Sequence, residues 1–167
     1  MMTIRKANRS DCKLINELAN KIFPYTYQDI LTNHQIDYMM DWMYSVNSLS
    51  EQMDEGHVYL IAYSENNEPL GYVSVNKEGN DIWHLQKIYV LPDIHGKGIG
   101  NFLFEQAISY IKEEEDNKPF KIQLNVNRNN RAIGFYLKKG MQKIDEGDFP
   151  IGNGFYMNDY IMELNVE

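Results

Sequence analysis

The residue types best suited to chemistry lie in one glycine-rich segment, His95-Gly96-Lys97-Gly98-Ile99-Gly100. Apolar residues recur at helical spacing after it, so the segment lies at the start of a predicted helix. Its glycines can adopt positive φ and expose consecutive backbone N–H groups, which form an anion site at a helix N-terminus. Lys97 adds a positive charge, and the His95 ring can donate a hydrogen bond to an anionic oxygen. The segment therefore favours a ligand that carries phosphate groups.

The glycine spacing excludes two common nucleotide-binding loops. A Walker loop needs G-x-x-x-x-G-K-[ST], which this segment lacks. A Rossmann fingerprint needs a third glycine where the chain has Asn101 or Leu103. A glycine-rich turn that only links a strand to a helix is the alternative interpretation at this point.

Metal and cysteine chemistry have little support in the sequence. The four histidines, at positions 34, 57, 84 and 95, show neither an H-E-x-x-H pattern nor Cys/His pairs at ligand spacing. Cys12 is alone, so it cannot form an internal disulfide, and it lacks the sequence context of a nucleophile. We therefore predict no metal site.

Composition and charge narrow the functional classes. The 167 residues, 43% of them hydrophobic, suit a single domain spanning 1–167. A formal net charge of −8 opposes phosphate backbones and attracts cationic small molecules, so no nucleic-acid partner is predicted. No apolar run approaches the roughly 18 residues that span a bilayer, and no signal-peptide pattern is present. We expect a cytoplasmic protein without a membrane partner.

Hydrophobic periodicity predicts an α+β fold with the order β-α-α-β-β-β-α-β-α-β-β. Residues at helical spacing alternate along the chain with short runs rich in Val, Ile, Tyr and Trp. A further short turn is predicted over 49–53. Predicted strands cover 2–7, 57–63, 70–75, 82–90, 120–126, 142–146 and 155–164; predicted helices cover 10–22, 32–43, 99–115 and 130–139.

Two motifs resemble the GNAT acetyltransferase superfamily. The first is Leu85-x-x-Ile88-Tyr89-Val90-x-Pro92 followed by the glycine segment, with His95 where that family usually has Gln or Arg. The second is Asn129-x-x-Ala132-Ile133-x-Phe135-Tyr136-x-Lys138-x-Gly140-Met141, with Met141 in place of the common Phe. The resemblance covers nearly the whole chain. It implies a GNAT-like fold, a mixed, mostly antiparallel sheet flanked by helices, with a cofactor cleft between the fourth and fifth strands.

The resemblance also implies acetyl-CoA as co-substrate and direct attack by an amine. Residues 95–100 would hold the pyrophosphate, and backbone groups of Ile88 and Val90 would pair with the pantetheine arm. Asn129 would cap the following helix and contact that arm. The Tyr136 phenol would donate a hydrogen bond or proton to the departing thiolate, although an aromatic residue at helical spacing is normally a core residue.

A primary amine has a pKa of about 10.4, so it is mostly protonated at neutral pH. A base or a water relay must therefore take a proton before the nitrogen can attack. His84 is the candidate, because counting back from the glycine segment places it where several family members carry a catalytic Glu. Imidazole also titrates near neutral pH. A histidine making a structural hydrogen bond on a half-buried strand is an equally good interpretation.

The acceptor amine is predicted from the aromatic and acidic residues of two segments. Tyr25, Tyr27 and Asp29 follow the first helix, and Asp148 lies near the chain's end. Such groups suit a cation, and the Phe155-Tyr156-Met157 ending resembles bacterial polyamine acetyltransferases, so a polyamine such as spermidine or spermine is the first hypothesis. Four alternatives stay open. The acidic residues could form a solvated surface, or the acceptor could be a protein or peptide amine. The chain could also be a non-catalytic acyl-CoA-binding domain or a purely structural domain. A homodimer is expected only because dimers are common in the superfamily.

Overall fold

A seven-stranded mixed sheet lies at the centre of the protein in a computed structural model that describes all 167 residues. Five α-helices cover the two faces of the sheet. The strands are β1 (Thr3–Lys6), β2 (Val58–Tyr63), β3 (Pro69–Lys77), β4 (Ile82–Val90), β5 (Phe120–Asn127), β6 (Gln142–Gly152) and β7 (Phe155–Val166); the helices are α1 (Cys12–Tyr27), α2 (Asn33–Tyr44), α3 (Val46–Asp54), α4 (Ile99–Glu114) and α5 (Ala132–Lys138).

The strand order across the sheet is β1-β2-β3-β4-β5-β7-β6. Every neighbouring pair is antiparallel except β4 and β5, which are parallel. This arrangement confirms the predicted α+β class and the mixed, mostly antiparallel sheet. The long final hairpin of β6 and β7 adds its strands in reversed order, so that β7 lies beside β5.

The helices differ from the predicted order by one addition. Residues 46–54 form a complete helix, α3, where the sequence indicated only a short turn. Ser45 separates it from α2, because its backbone is extended and its side chain accepts a hydrogen bond from the Ser48 N–H. Helix α1 also extends past Pro24 to Tyr27, which places Tyr25 and Tyr27 on its last turn.

Two hydrophobic clusters pack on opposite faces of the sheet. One lies beneath α4, where Leu103, Phe104 and Ile111 are completely or almost completely buried. The other lies beneath α1, α2 and α3 and contains a group of buried aromatic rings, among them Phe23 and Tyr44. No helix has the length and hydrophobicity needed to cross a bilayer.

A bulge in β4 changes which face its side chains occupy. Val75 of β3 pairs with Leu85, but Ser74 pairs with Lys87, so Gln86 is an extra residue. Leu85 belongs to the cluster under α4, and regular alternation would place Lys87 there too. Instead Lys87 hydrogen-bonds Gln52 of α3 on the other face.

β4 and β5 separate soon after they begin. Their pairing is confined to residues 82–84 of β4 and 121–123 of β5. β5, in contrast, pairs with β7 along its whole length, from Phe120 to Asn127. A gap therefore opens in the middle of the sheet beyond His84, and the candidate site lies there.

Candidate functional site

A cleft of about 910 Å³ lies between the separated ends of β4 and β5. The last turn of α1, the glycine segment, and the residues leading into α5 complete its walls. The predicted cleft between the fourth and fifth strands is therefore present. Predicted site residues that line it are Tyr25, Tyr27, Asp29, Ile88, Val90, His95, Gly96, Gly98, Ile99, Gly100, Asn129 and Tyr136.

The glycine segment presents an unbonded row of backbone donors to this cleft. Gly96 and Gly98 adopt φ of 84° and 78°, a left-handed region in which other residues are strained. Ile99 begins α4 and is buried, which anchors the loop to the core. The backbone N–H groups from Gly96 to Asn101 find no acceptor within the protein. Together with the N-terminus of a 16-residue helix, they form a site suited to phosphate oxygens.

The two charged or titratable side chains of this loop behave differently. Lys97 is exposed and, unlike the other residues of the predicted loop, does not line the cleft. The His95 Nε2 lies 3.0 Å from the Val90 carbonyl oxygen, and because a carbonyl can only accept, Nε2 carries the hydrogen. His95 therefore closes the loop onto the end of β4, and its Nε2 is not free to reach an anion as predicted.

The backbone of β4 offers further hydrogen-bonding groups. The Leu91 N–H bonds the Leu70 carbonyl at 3.0 Å, and bonded and non-bonded pairs alternate along an antiparallel ladder. The alternation directs the N–H and C=O groups of Val90 and Ile88 away from β3, toward the gap. The Val90 carbonyl is the one that His95 contacts.

Tyr136 lies on α5 with 6% of its surface exposed, and it lines the cleft. Its hydroxyl makes no hydrogen bond to a protein group within the structure. Burial raises the pKa of Tyr136 because it disfavours the phenolate, and Tyr27 raises it further. The phenol is therefore protonated at neutral pH and has a free O–H to donate.

The turn before α5 is held by a different asparagine from the one predicted. Asn130 Oδ1 accepts a hydrogen bond from the Ala132 N–H at 2.8 Å, so Asn130, rather than Asn129, bonds the first backbone N–H of the helix, while the N-cap residue Arg131 makes no side-chain cap bond. The Asn130 amide also donates to the Tyr27 hydroxyl at 3.3 Å. Asn129 lines the cleft, and its N–H donates to Asn127 Oδ1.

His84 does not lie in the cleft. It belongs to the part of β4 that still pairs with β5, opposite Gln123, and its Nδ1 is 3.3 Å from Glu78 Oε1. Burial lowers the pKa of His84, and Glu78 partly offsets this effect. The structure thus supports the interpretation of a structural histidine and gives the role of general base no geometric support.

The predicted acceptor-binding residues are divided between two places. Tyr27 is half-buried in the cleft wall, while Tyr25 is 53% exposed at the rim. Asp148 lies on β6 outside the cleft lining, where it forms an ion pair with Arg128. Arg128 also binds Glu146 at 3.3 Å. The acidic segment of β6 is thus engaged in ion pairs away from the cleft.

Sequence reasoning missed a second, smaller cavity of about 60 Å³ that adjoins the cleft. It contains two buried groups of opposite charge, Lys87 and Asp159, which are 8% and 1% exposed. Lys87 and Asp159 are both charged residues within predicted strands that are otherwise rich in apolar residues, and this pattern is the signal that could have indicated them. No group of three or more His, Cys, Asp or Glu side chains is placed to hold a metal ion.

Comparisons with known proteins agree with this geometry. The family model described as an acetyltransferase (GNAT) domain matches residues 25–164. The peptidyl-lysine N-acetyltransferase YjaB of Escherichia coli K12 is 30% identical over 83 residues, 49% of this chain and 48% of YjaB. The chain thus matches about half the length of that curated relative.

Solved structures resemble the whole chain. PaiA N-acetyltransferase from Thermoplasma acidophilum, in complex with coenzyme A, has a TM-score of 0.82 at 24% identity, over 99% of both chains. A chimera of spermidine N-acetyltransferase SpeG from Vibrio cholerae with hSSAT has a TM-score of 0.70 at 21% identity, over 98% of this chain and 94% of the chimera. At these identities, the two structures establish the fold.

Proposed function

This chain belongs to the GNAT acetyltransferase family, and we propose that it transfers the acetyl group of acetyl-CoA directly to a primary amine. The observation that carries the proposal is that one cleft contains both the unbonded N–H groups of the glycine loop and the free hydroxyl of Tyr136. A cleft of about 910 Å³ is large enough for a cofactor and an acceptor to meet.

The residues of the cleft fit the parts of coenzyme A. The N–H groups from Gly96 to Asn101 suit the pyrophosphate, since they act together with the N-terminus of α4. The N–H and C=O groups of Ile88 and the N–H group of Val90 suit the amides of the pantetheine arm, which would lie in the gap like an added strand, while the Val90 carbonyl accepts from His95. Asn129 lines the same gap.

The transfer needs one bond to form and one to break. The neutral amine nitrogen attacks the thioester carbonyl, a C–N bond forms and the C–S bond breaks. The nitrogen loses its proton to water, and the thiolate takes up a proton from water, so that the products are the amide and the CoA thiol. Tyr136 donates a hydrogen bond to the thiolate as it leaves. Because burial raises the pKa of Tyr136 above that of a thiol, the phenol stabilises the leaving group chiefly by this hydrogen bond.

Two classes of acceptor are proposed. A polyamine such as spermidine is supported by Asp29 and the exposed ring of Tyr25 at the cleft rim, and by the fold shared with the spermidine N-acetyltransferase chimera. A lysine side chain of a peptide is supported by the similarity to the peptidyl-lysine acetyltransferase YjaB. The ion pairs of Arg128 with Glu146 and Asp148 favour the peptide, because they leave few free carboxylates for a second ammonium group.

The test is a thiol-release assay with acetyl-CoA and a panel of acceptors. The panel contains spermidine, spermine, a lysine peptide with a blocked N-terminus, and a lysine-free peptide with a free N-terminus. We expect release above the amine-free rate with at least one of them, with mass spectrometry locating the acetyl group. Binding of acetyl-CoA by calorimetry without turnover on any amine would instead identify a non-catalytic acyl-CoA-binding domain.

A further inference from the structure

The cavity of about 60 Å³ adjoins the cleft proposed to bind acetyl-CoA. It lies between α1, α2, β4, β5 and β7, and its volume corresponds to about two water molecules. A primary ammonium group with its first methylene is of similar size. The cavity and the cleft share five lining residues: Tyr27, Gln86, Lys87, Tyr89 and Asn125.

Asp159 is the buried carboxylate of this cavity. It is 1% exposed, and its Oδ1 has no hydrogen-bond partner. Its Oδ2 has one contact, a long one of 3.5 Å from the Asn125 amide. A buried carboxylate normally has a cationic partner or several donors, because loss of water disfavours its charge. Asp159 therefore lacks the partners that its position calls for.

The neighbouring cation does not fill this role. Burial raises the pKa of Asp159, and the Asn125 hydrogen bond and then the charge of Arg128 partly offset this effect. The two Nη atoms of Arg128 are bonded to Glu146, Asp148 and the Gly147 carbonyl, and its buried Nε makes no hydrogen bond to Asp159 or to any other group. The Asp159 carboxylate cannot withdraw into solvent either, because its backbone lies mid-strand, opposite Asn127 of β5 and Gly147 of β6.

We propose that Asp159 binds the amino group of the acceptor and positions its nitrogen at the inner end of the cleft. The inference deepens the proposed function and rests on it. The acceptor enters as an ammonium group, which supplies the hydrogen-bond donors that Oδ1 lacks through a charge-assisted bond. It then loses one proton to water, and the neutral amine that attacks still donates a hydrogen bond to Oδ1. The Tyr27 hydroxyl borders both cavities and provides a further oxygen nearby.

Lys87 in the same cavity does not prevent this binding. Burial lowers its pKa to about 7, because no carboxylate is bonded to it and water is excluded. Above that pH the amine is mostly neutral, so repulsion of an incoming ammonium is weak. With Asp159 as a carboxylate and Lys87 mostly neutral, the cavity therefore favours the binding of one cation.

The experiment compares the wild type with Asp159→Asn, which keeps the size of the side chain and removes the charge. Spermidine and a blocked lysine peptide are titrated by calorimetry into the protein already saturated with CoA, so that no turnover is needed. We expect the variant to bind the accepted amine about 10- to 100-fold more weakly, with the affinity for CoA unchanged. In the thiol-release assay, KM for the amine should rise much more than kcat falls.

Asp37→Asn is the matched control, since Asp37 is exposed on α2 and makes no ion pair. It should leave amine binding unchanged. Equal amine affinity in the wild type and Asp159→Asn would overturn the inference, as would a CoA-saturated wild type that binds neither amine. Turnover by the wild type together with an unaffected Asp159→Asn would reject the role of Asp159 and leave the proposed function standing.

Discussion

The Lys87 ammonium donates a hydrogen bond to the Tyr59 hydroxyl at 2.6 Å, deep between the sheet and α3. Tyr59 in turn donates to Gln52 Oε1 at 2.6 Å, and Lys87 Nζ lies 2.9 Å from the same oxygen. Nζ also lies 4.7 Å from the centre of the Tyr44 ring. These neutral partners stabilise the charged ammonium less well than water does. Burial therefore lowers the pKa of Lys87 to about 7.

This burial predicts a pH-dependent stability. In the unfolded chain a lysine titrates near about 10.4, so between pH 7 and that value the unfolded state binds more protons than the folded state. The free energy of unfolding should therefore rise with pH across this window, by at most about 1.4 kcal/mol per pH unit from this group. Urea unfolding of the wild type at a series of pH values measures the slope.

Lys87→Met should remove that slope and raise stability most at the acid end of the window. Methionine fills similar volume, and the bond from Tyr59 to Gln52 survives. Lys13→Met, at an exposed position of α1, is the control and should keep the wild-type slope. A slope that persists in Lys87→Met would mean that another group titrates.

Tyr136→Phe tests the group that stabilises the leaving thiolate. The change deletes one hydroxyl that bonds no protein group, so folding and the KM of the amine should change little. We expect kcat to fall about 10- to 100-fold, because the lost hydrogen bond acts on the charge that develops during the reaction. Tyr110→Phe removes a surface hydroxyl that bonds Glu114, and it should leave steady-state rates unchanged. Equal losses of acetyl-CoA affinity and kcat in Tyr136→Phe would point to a binding role instead.

Gly98→Ala tests the shape of the glycine loop. A Cβ at this position meets no atom within 4 Å, so the only penalty is the left-handed backbone, about 1 kcal/mol. The loop should relax, and calorimetry should show acetyl-CoA binding weakened by about fivefold or more. Gly154 has nearly the same φ, 77° against 78°, and equal free space, at the hairpin between β6 and β7. Gly154→Ala should therefore lose similar stability while binding acetyl-CoA normally.

His84→Asn tests whether His84 is the base. Removal of a general base costs about 100-fold or more in rate. Because His84 lies outside the cleft beside Glu78, we expect a much smaller loss and an unchanged pH profile of kcat. A 100-fold loss accompanied by a shifted profile would restore the sequence-based hypothesis.

Local patterns carried the predictions that agree with the structure. The glycine segment, Tyr136 and Asn129 belong to short segments whose helix starts and turns are visible in sequence, and the structure places them at one cleft. The position of Ile88 and Val90 beside the cleft could also be predicted, because it requires only that one strand, β4, ends just before the glycine segment. The structure places His84 outside the cleft for a non-local reason: β4 still pairs with β5 at His84, and the two parallel strands separate only beyond it.

The buried groups could not be located from the sequence. The position of Lys87 depends on the bulge at Gln86, which reverses the alternation of β4 and has no turn residue to announce it. Asp159 is buried because β7 lies between β5 and β6, a pairing that joins residues more than 30 positions apart. Likewise, the ion pair of Asp148 with Arg128 depends on how the final hairpin packs beside β5, which the local sequence does not show.

The limited pairing of β4 with β5 also has a consequence for how the molecule holds together. Only three residue pairs join the first four strands to the last three through backbone bonds. The sheet therefore consists of two smaller sheets, β1 to β4 and β5 to β7, whose backbones are hydrogen-bonded to each other only at one end. A ligand that lies in the gap and hydrogen-bonds to both β4 and β5 would supply the backbone hydrogen bonds that the two smaller sheets lack between them. The cooperativity of unfolding should therefore depend on whether a ligand is bound in the gap.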